Sequence, residues 1–389
     1  MDKKYFWQNK TFITSMLSVA LPVAIQFLIS TSINMADTVM ISSLGGAEIA
    51  AVGLVNQFVF FFIIASWGVC SGGAVFFSQF YGNRDMENVR RYLSITLQLT
   101  TVVSLLFTVI SLVFPNQIMR ILTPEQDVIK LGVDYLKWIA LTFVVSSISQ
   151  AFNAILRSVD RAKEPLIVSS IAFFTNVFFN YIFIFGKFGA PQLGVVGAAL
   201  GTVIARFVEV ILLLFIVLRH REGKESIKPI ELTSLHSERL ASFFKIALPI
   251  ILAESIWSLG QLLFAIAYAR IGKDATAAIQ LTNTIQNVFF IIVNAICSAA
   301  AVLLGQSLGA GNKNYAKVKA TYFMQITTIV GLISAVILFL GPDLLLGIYK
   351  DIEPHIYATS KTLLILRGLF IPFRFLNGMM FVGIFRAGG

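Results

Sequence analysis

Asp37 is a bare carboxylate inside an apolar run. The stretch NMADTVMIS, residues 34–42, continues a run that begins near Phe12, and no Lys or Arg lies between Lys10 and Arg84. An ionised Asp in hydrocarbon costs about 2.5–3.5 kcal/mol on insertion scales, so it is kept only where it faces a cavity, a partner or a cation. Asn34 lies three residues earlier, on the same helix face. Three more polar residues interrupt later apolar runs: Asn176 and Asn180, one turn apart in TNVFFNYIFIFG, and Thr202 in GVVGAALGTVIARF. Carboxylate, amide and hydroxyl oxygens suit a hard cation such as Na⁺. A desolvated carboxylate can equally take up a proton. Either chemistry would couple a transport step to an ion gradient. A third reading, in which these groups only hydrogen-bond neighbouring helices, stays open.

A second acid, Glu254, stands in LPIILAESIWSLGQ, with Trp257 and Gln261 on the same face at i+3 and i+7. Asn283, Gln286 and Asn287 share a face of the next run, and Asn294 follows two turns on. These residues, with Asn34, are expected to line a wet substrate cavity. Arg206 and Glu209, three apart, are expected to pair with each other or with the membrane interface. The two cysteines, Cys70 and Cys297, lie in apolar runs and the three histidines are scattered, so neither a structural metal nor a disulfide framework is expected. There is no nucleophile–base–acid constellation, Walker motif or Gly-rich phosphate loop. The chain is therefore not expected to be an enzyme or to hold a cofactor; a coupling ion, Na⁺ or H⁺, would supply the energy.

The elements that must carry these residues are membrane helices. Of 389 residues 57% are hydrophobic and 13% charged, and the mean hydropathy is +0.82. Ten runs are long and apolar enough to cross a hydrocarbon core of roughly 30 Å: 12–43, 49–78, 90–114, 131–156, 163–186, 194–218, 241–269, 277–307, 316–340 and 356–385. The opening MDKKYFWQNK has no secretory cleavage pattern, so the first run is expected to insert and remain. The net charge of +10 is unevenly placed. The N-terminus, the even-numbered gaps and Arg386 carry 19 Lys and Arg, and the odd-numbered gaps carry 7. That bias predicts a multi-pass inner (plasma) membrane protein with a cytoplasmic N-terminus. The basic balance is thus a topology signal and not a nucleic-acid footprint.

The chain repeats itself. A shift of 227 lays ALP at 20–22 on ALP at 247–249, and CS at 70–71 on CS at 297–298, with 10 identities across the 29 positions 54–82. GNRDMENV at 82–89 then matches GNKNYAKV at 311–318, and Arg157 in FNAILRS matches Arg386 in FVGIFRA. The unit holds six helices, an even number, so both copies enter the membrane in the same sense. The expected fold is all-α, with two six-helix lobes related by an axis along the membrane normal. Residues 1–218 form the first lobe, 219–245 a polar cytoplasmic linker and 246–389 a second lobe of four helices. The chain is expected to be a C-terminally truncated form whose second lobe lacks its last two helices.

ALPVAIQFLISTSINMADTVMISSLGG, QFYGNRD, AILRSVDR, NVFFNYIFIFG and GVVGAALGTVIAR, in this order, resemble stretches of the multidrug and toxic compound extrusion (MATE) family. The resemblance implies twelve helices in two lobes, and a cavity that opens alternately to the two sides. It implies export of bulky, often cationic drugs against Na⁺ or H⁺. It also implies a first-lobe cation site, to which Asp37, Asn176 and Thr202 correspond. Asn180 stands where several members carry a second Asp, leaving one negative charge fewer. Glu254 lies one turn before the helix-seven Glu of another branch, whose position is Trp257 here. The resulting expectation is a monomeric antiporter in the bilayer that exports small amphipathic or cationic drug-like compounds. The alternatives are a lipid-linked sugar flippase of similar layout and a non-transporting relic.

Overall fold

The computed structural model describes residues 5–219, 237–347, 349 and 353–389. Most of the expected linker and its basic run fall outside these residues. Among them the long helices are α1 (Lys10–Ser42), α2 (Gly46–Gly82), α3 (Met86–Val113), α5 (Gln126–Ala140), α6 (Thr142–Ser158), α7 (Lys163–Phe185), α8 (Val195–Arg219), α9 (Ser237–Ile271), α10 (Lys273–Gly309), α11 (Lys313–Leu340) and α13 (Pro354–Gly378). The last of these continues as a π-helical stretch, Met379–Phe385, and a final turn, α14 (Arg386–Gly388). Nine described helices are long and apolar enough to span a membrane, and α5 with α6, bent by 46° at Leu141, makes a tenth. The fold is all-α with no strand among the described residues, and the ten expected runs correspond to these spans.

Two short helices were not read from the sequence: α4 (Pro115–Leu122) and α12 (Pro342–Leu346). Each starts with Pro at its first turn, where the missing N–H would be unsatisfied in any case. They stand 227 residues apart, so the repeat extends to the connections. The same holds elsewhere. Asp85 caps α3 by accepting from the Asn88 N–H at 3.1 Å, and Asn312 caps α11 by accepting from the Tyr315 N–H at 3.1 Å. Gly45 and Gly272, also 227 apart, start α2 and α10 at φ 149° and 142°, a region that favours glycine. Within α12, the Asp343 carboxyl is held below the usual carboxylate range by hydrogen bonds from Lys361 and Tyr357.

The described residues divide into two compact units, Ile25–Leu252, and Met1–Ala24 with Ala253–Gly389. In the first, Phe62 stacks on Phe143 at 4.4 Å and Phe76 on Tyr92 at 4.1 Å, tying α2 to α6 and α3. In the second, Phe12 packs on Tyr322 and Phe323, all fully buried. Exposed Val, Leu, Ile and Phe are numerous along α1, α3, α7, α8, α11 and α13, as a lipid-facing surface requires.

α7 and α8 form the closest hairpin. Gly186 ends α7 in the left-handed region (φ 65°). A Cβ at Gly197 would lie 2.5 Å from the Phe183 carbonyl oxygen and 2.8 Å from the Ile184 nitrogen. A Cβ at Gly201 would fall on the Asn180 Oδ1 and 2.9 Å from the Asn180 backbone nitrogen. Small residues allow this approach, as in membrane helix pairs generally.

Candidate functional site

The first unit brings four of the sequence-derived residues into one hydrogen-bonded chain. Asn180 Nδ2 donates to Asp37 Oδ1 at 2.5 Å and to Asn176 Oδ1 at 3.3 Å. Asn176 Nδ2 donates to Thr202 Oγ1 at 3.3 Å, and the Thr202 hydroxyl donates to the Ala198 carbonyl at 3.0 Å. α1, α7 and α8 each contribute. Asn176 and Asn180 are buried, while Asp37 and Thr202 are half-buried. The Asn34 side chain lies outside the described residues.

The register of α1 against α7 is set twice. Gln26 Nε2 donates to Ser169 Oγ at 2.9 Å, and this pair and the Asp37–Asn180 pair are both 143 residues apart. The two helices therefore run in the same direction in constant register over three turns. Gln26 carried no sequence signal beyond being polar in an apolar run. Tyr135 of α5 was also missed. It is buried and close enough to Asp37 to act on it electrostatically, but a Tyr on an apolar helix reads as packing. Arg206 is the charged group near Asp37, and it pairs with Glu209 at 2.8 Å as expected.

Within this hydrogen-bonded network a buried amide oxygen is left over. Asn180 Oδ1 is buried with no hydrogen bond. It turns toward Gly201, whose missing side chain leaves room for it. A buried amide oxygen without a donor is costly, so this chain carries an acceptor in reserve beside a carboxylate.

In the second unit Glu254 forms an ion pair with Arg386, Oε1 to Nη2 at 2.7 Å, and the two side chains are 16% and 7% exposed. The repeat explains the placement of this pair in part. Arg386 lies near Cys297 as Arg157 lies near Cys70. The position 227 before Glu254 is Phe27, so the first unit has no equivalent acid there. Trp257 and Gln261 are exposed on α9, Asn287 is exposed on α10, and Asn283 is half-buried. Gln286 is buried and accepts from Arg367 Nη1 at 3.0 Å.

Residues 22–182 and 249–389 match the MatE family. The chain belongs to the MatE family. Members are multi-pass membrane transporters, not enzymes. The uncharacterized transporter YisQ of Bacillus subtilis strain 168 is 25% identical over 387 residues, covering 98% of this chain and 82% of that protein. The probable multidrug resistance protein NorM of Thermotoga maritima is 26% identical over 374 residues, covering 94% of this chain and 78% of that one. A crystal structure of MATE in a bent conformation superposes with a TM-score of 0.86 at 20% identity, over 97% of this chain and 83% of that chain. A MOP superfamily transporter from Pyrococcus furiosus Vc1 superposes at 0.83, also at 20% identity, over 96% and 83%. At these identities the structural likeness establishes the fold.

Proposed function

We propose that this MatE transporter is a secondary active antiporter that exports amphipathic or cationic organic compounds in exchange for Na⁺ or H⁺, with Asp37 as the seat of the coupling ion. The observation that supports this best is the chain Asp37–Asn180–Asn176–Thr202 inside apolar helices. Several relatives are described as multidrug resistance proteins, NorM of Thermotoga maritima among them.

The chemistry fits either ion. A proton on Asp37 neutralises a charge that the membrane penalises. A cation needs oxygens, and four side chains here carry them: Asp37, Asn176, Asn180 and Thr202. In the present arrangement Asn180 offers Asp37 its nitrogen while its oxygen goes unused. Turning that amide over presents the oxygen instead, and this is the form a cation would favour. The ion drives a conformational change only if it binds one state better than the other. The donor bonds from Asn180 suit the ion-free carboxylate and are lost when an ion takes their place, which gives such a difference.

The charge bias supports an inner-membrane protein with a cytoplasmic N-terminus, acting as a monomer. The test is ethidium efflux from pump-deficient cells carrying this chain or its Asp37→Asn variant, with and without Na⁺ and a pH gradient. Export that vanishes in the variant is the expected result. An Asp37→Asn protein that still exports with unchanged ion dependence would remove Asp37 from the mechanism.

A further inference from the structure

The second unit holds two arginines deep in a membrane span, and among the described residues neither forms an ion pair. α13 belongs to an apolar span that runs Pro354–Gly388, whose midpoint is Ile371. Arg367 and Arg374 lie within about 6 Å of that midpoint along the axis, at 1.5 Å per residue. Neither is near an end from which a long side chain reaches the interface. They are seven apart, two turns on one face. An arginine at this depth facing lipid costs about 2.5–3.5 kcal/mol on insertion scales, and such residues turn inward to partners or water.

Their partners are neutral. Arg367 Nη1 donates to the buried Gln286 Oε1 at 3.0 Å. The Arg374 guanidinium lies over the Phe290 ring, 4.5 Å from its centroid. Gln286 and Phe290 are one turn apart on α10. The Tyr268 phenol of α9 is close enough to act on both guanidiniums, and Arg367 feels the charge of Arg374. Among the described residues the acids of this unit that form ion pairs are engaged elsewhere: Glu254 with Arg386, Asp343 with Lys361, and Asp274 and Glu353 with His355. A guanidinium has five N–H donors in a planar fork that matches a carboxylate or phosphate. Arg367 uses one of them on Gln286, and Arg374 lies on an aromatic face that leaves its edge open.

We propose that Arg367 and Arg374, with Gln286, bind the anionic group of a transported amphiphile, a carboxylate or a phosphate, and that Phe290 lies beside its apolar body. This rests on the transporter reading and adds to it: a compound that carries an anionic group binds more tightly than its neutral counterpart. The same chemistry is offered by a soluble amphipathic carboxylate and by a phospholipid headgroup.

Calorimetric titration of the protein in phosphatidylcholine nanodiscs tests this, with empty nanodiscs subtracting partition into lipid. The probes are dansylglycine and its neutral counterpart dansylglycinamide. The carboxylate is expected to bind about tenfold or more tightly than the amide, the scale of one charge-assisted hydrogen bond. Arg367→Gln and Arg374→Gln should each remove most of that preference, and Arg367→Lys should retain part of it. An unfolding midpoint within a few degrees of wild type, read by tryptophan fluorescence of the same samples, shows that the variants fold. Equal affinity for carboxylate and amide, or variants that keep the preference, would overturn the proposal. A second arm dopes the discs with dioleoyl phosphatidic acid. Abolished dansylglycine binding, with phosphatidate retained by wild type but not by the Arg variants in native mass spectrometry, assigns the site to a lipid headgroup. Unchanged dansylglycine binding assigns it to soluble amphiphiles. Failure of ethidium efflux in cells would count against the transporter reading alone, because the carboxylate preference is a binding measurement.

Discussion

Gly201→Ala should disable the Asp37 site without touching any of its side chains. The added Cβ falls on Asn180 Oδ1 and 2.9 Å from the Asn180 backbone nitrogen, so flexible atoms alone cannot absorb it. Overpacking of this kind costs about 1–3 kcal/mol. Against that, Ala gains about 1 kcal/mol over Gly inside a helix. The net loss is therefore about 0–2 kcal/mol. Gly53, two turns into α2, is the control, because a Cβ there meets nothing within 4 Å. Gly53→Ala should keep the whole gain of about 1 kcal/mol, which separates the two variants by about 1–3 kcal/mol. For a unit of this size that is roughly 2–12 °C in apparent unfolding midpoint. Tryptophan fluorescence of detergent-purified protein measures it, and ethidium efflux measures the site. Asn180 is the link between Asp37 and Asn176, so its displacement should reduce efflux more than the stability change accounts for. A Gly201→Ala protein as stable as Gly53→Ala, with full efflux, would refute both the close approach of α7 to α8 and the dependence of the site on it.

Glu254→Gln should be destabilising, by less than the roughly 3–5 kcal/mol of breaking a fully buried pair, since both residues are half-buried. The double variant Glu254→Gln/Arg386→Gln should lose less than the two single variants combined, read as apparent unfolding midpoints; strictly additive losses would show that the pair at 2.7 Å does not couple. A cysteine placed at Asn83, between α2 and α3, should react with a membrane-impermeant thiol reagent only from the cytoplasmic side, and reaction only from outside would invert the proposed topology.

The sequence by itself determined the class of the fold, its repeat and the candidate ion site. Apolar length and charge bias are local properties, and the membrane makes them decisive, because every backbone polar group in hydrocarbon must be satisfied within a helix. Polar residues stand out there for the same reason, and Asp37, Asn176, Asn180 and Thr202 were legible before any helix was packed. Their linkage was not. It depends on α1 running beside α7 in constant register, which Gln26 and Ser169 also fix, and on the room that Gly201 leaves at Asn180. Those are contacts between residues far apart in the chain, and no local pattern encodes them. The same limit held for Glu254, whose partner Arg386 lies 132 residues away. It held for Arg367 and Arg374, which as sequence are isolated cations in an apolar run. Only the packing of α9, α10 and α13 gives them Tyr268, Gln286 and Phe290 as neutral company. The bend at Leu141 and the short helices α4 and α12 were likewise decided by packing and chain closure, since neither the apolar period nor the hydropathy of a run records where it turns.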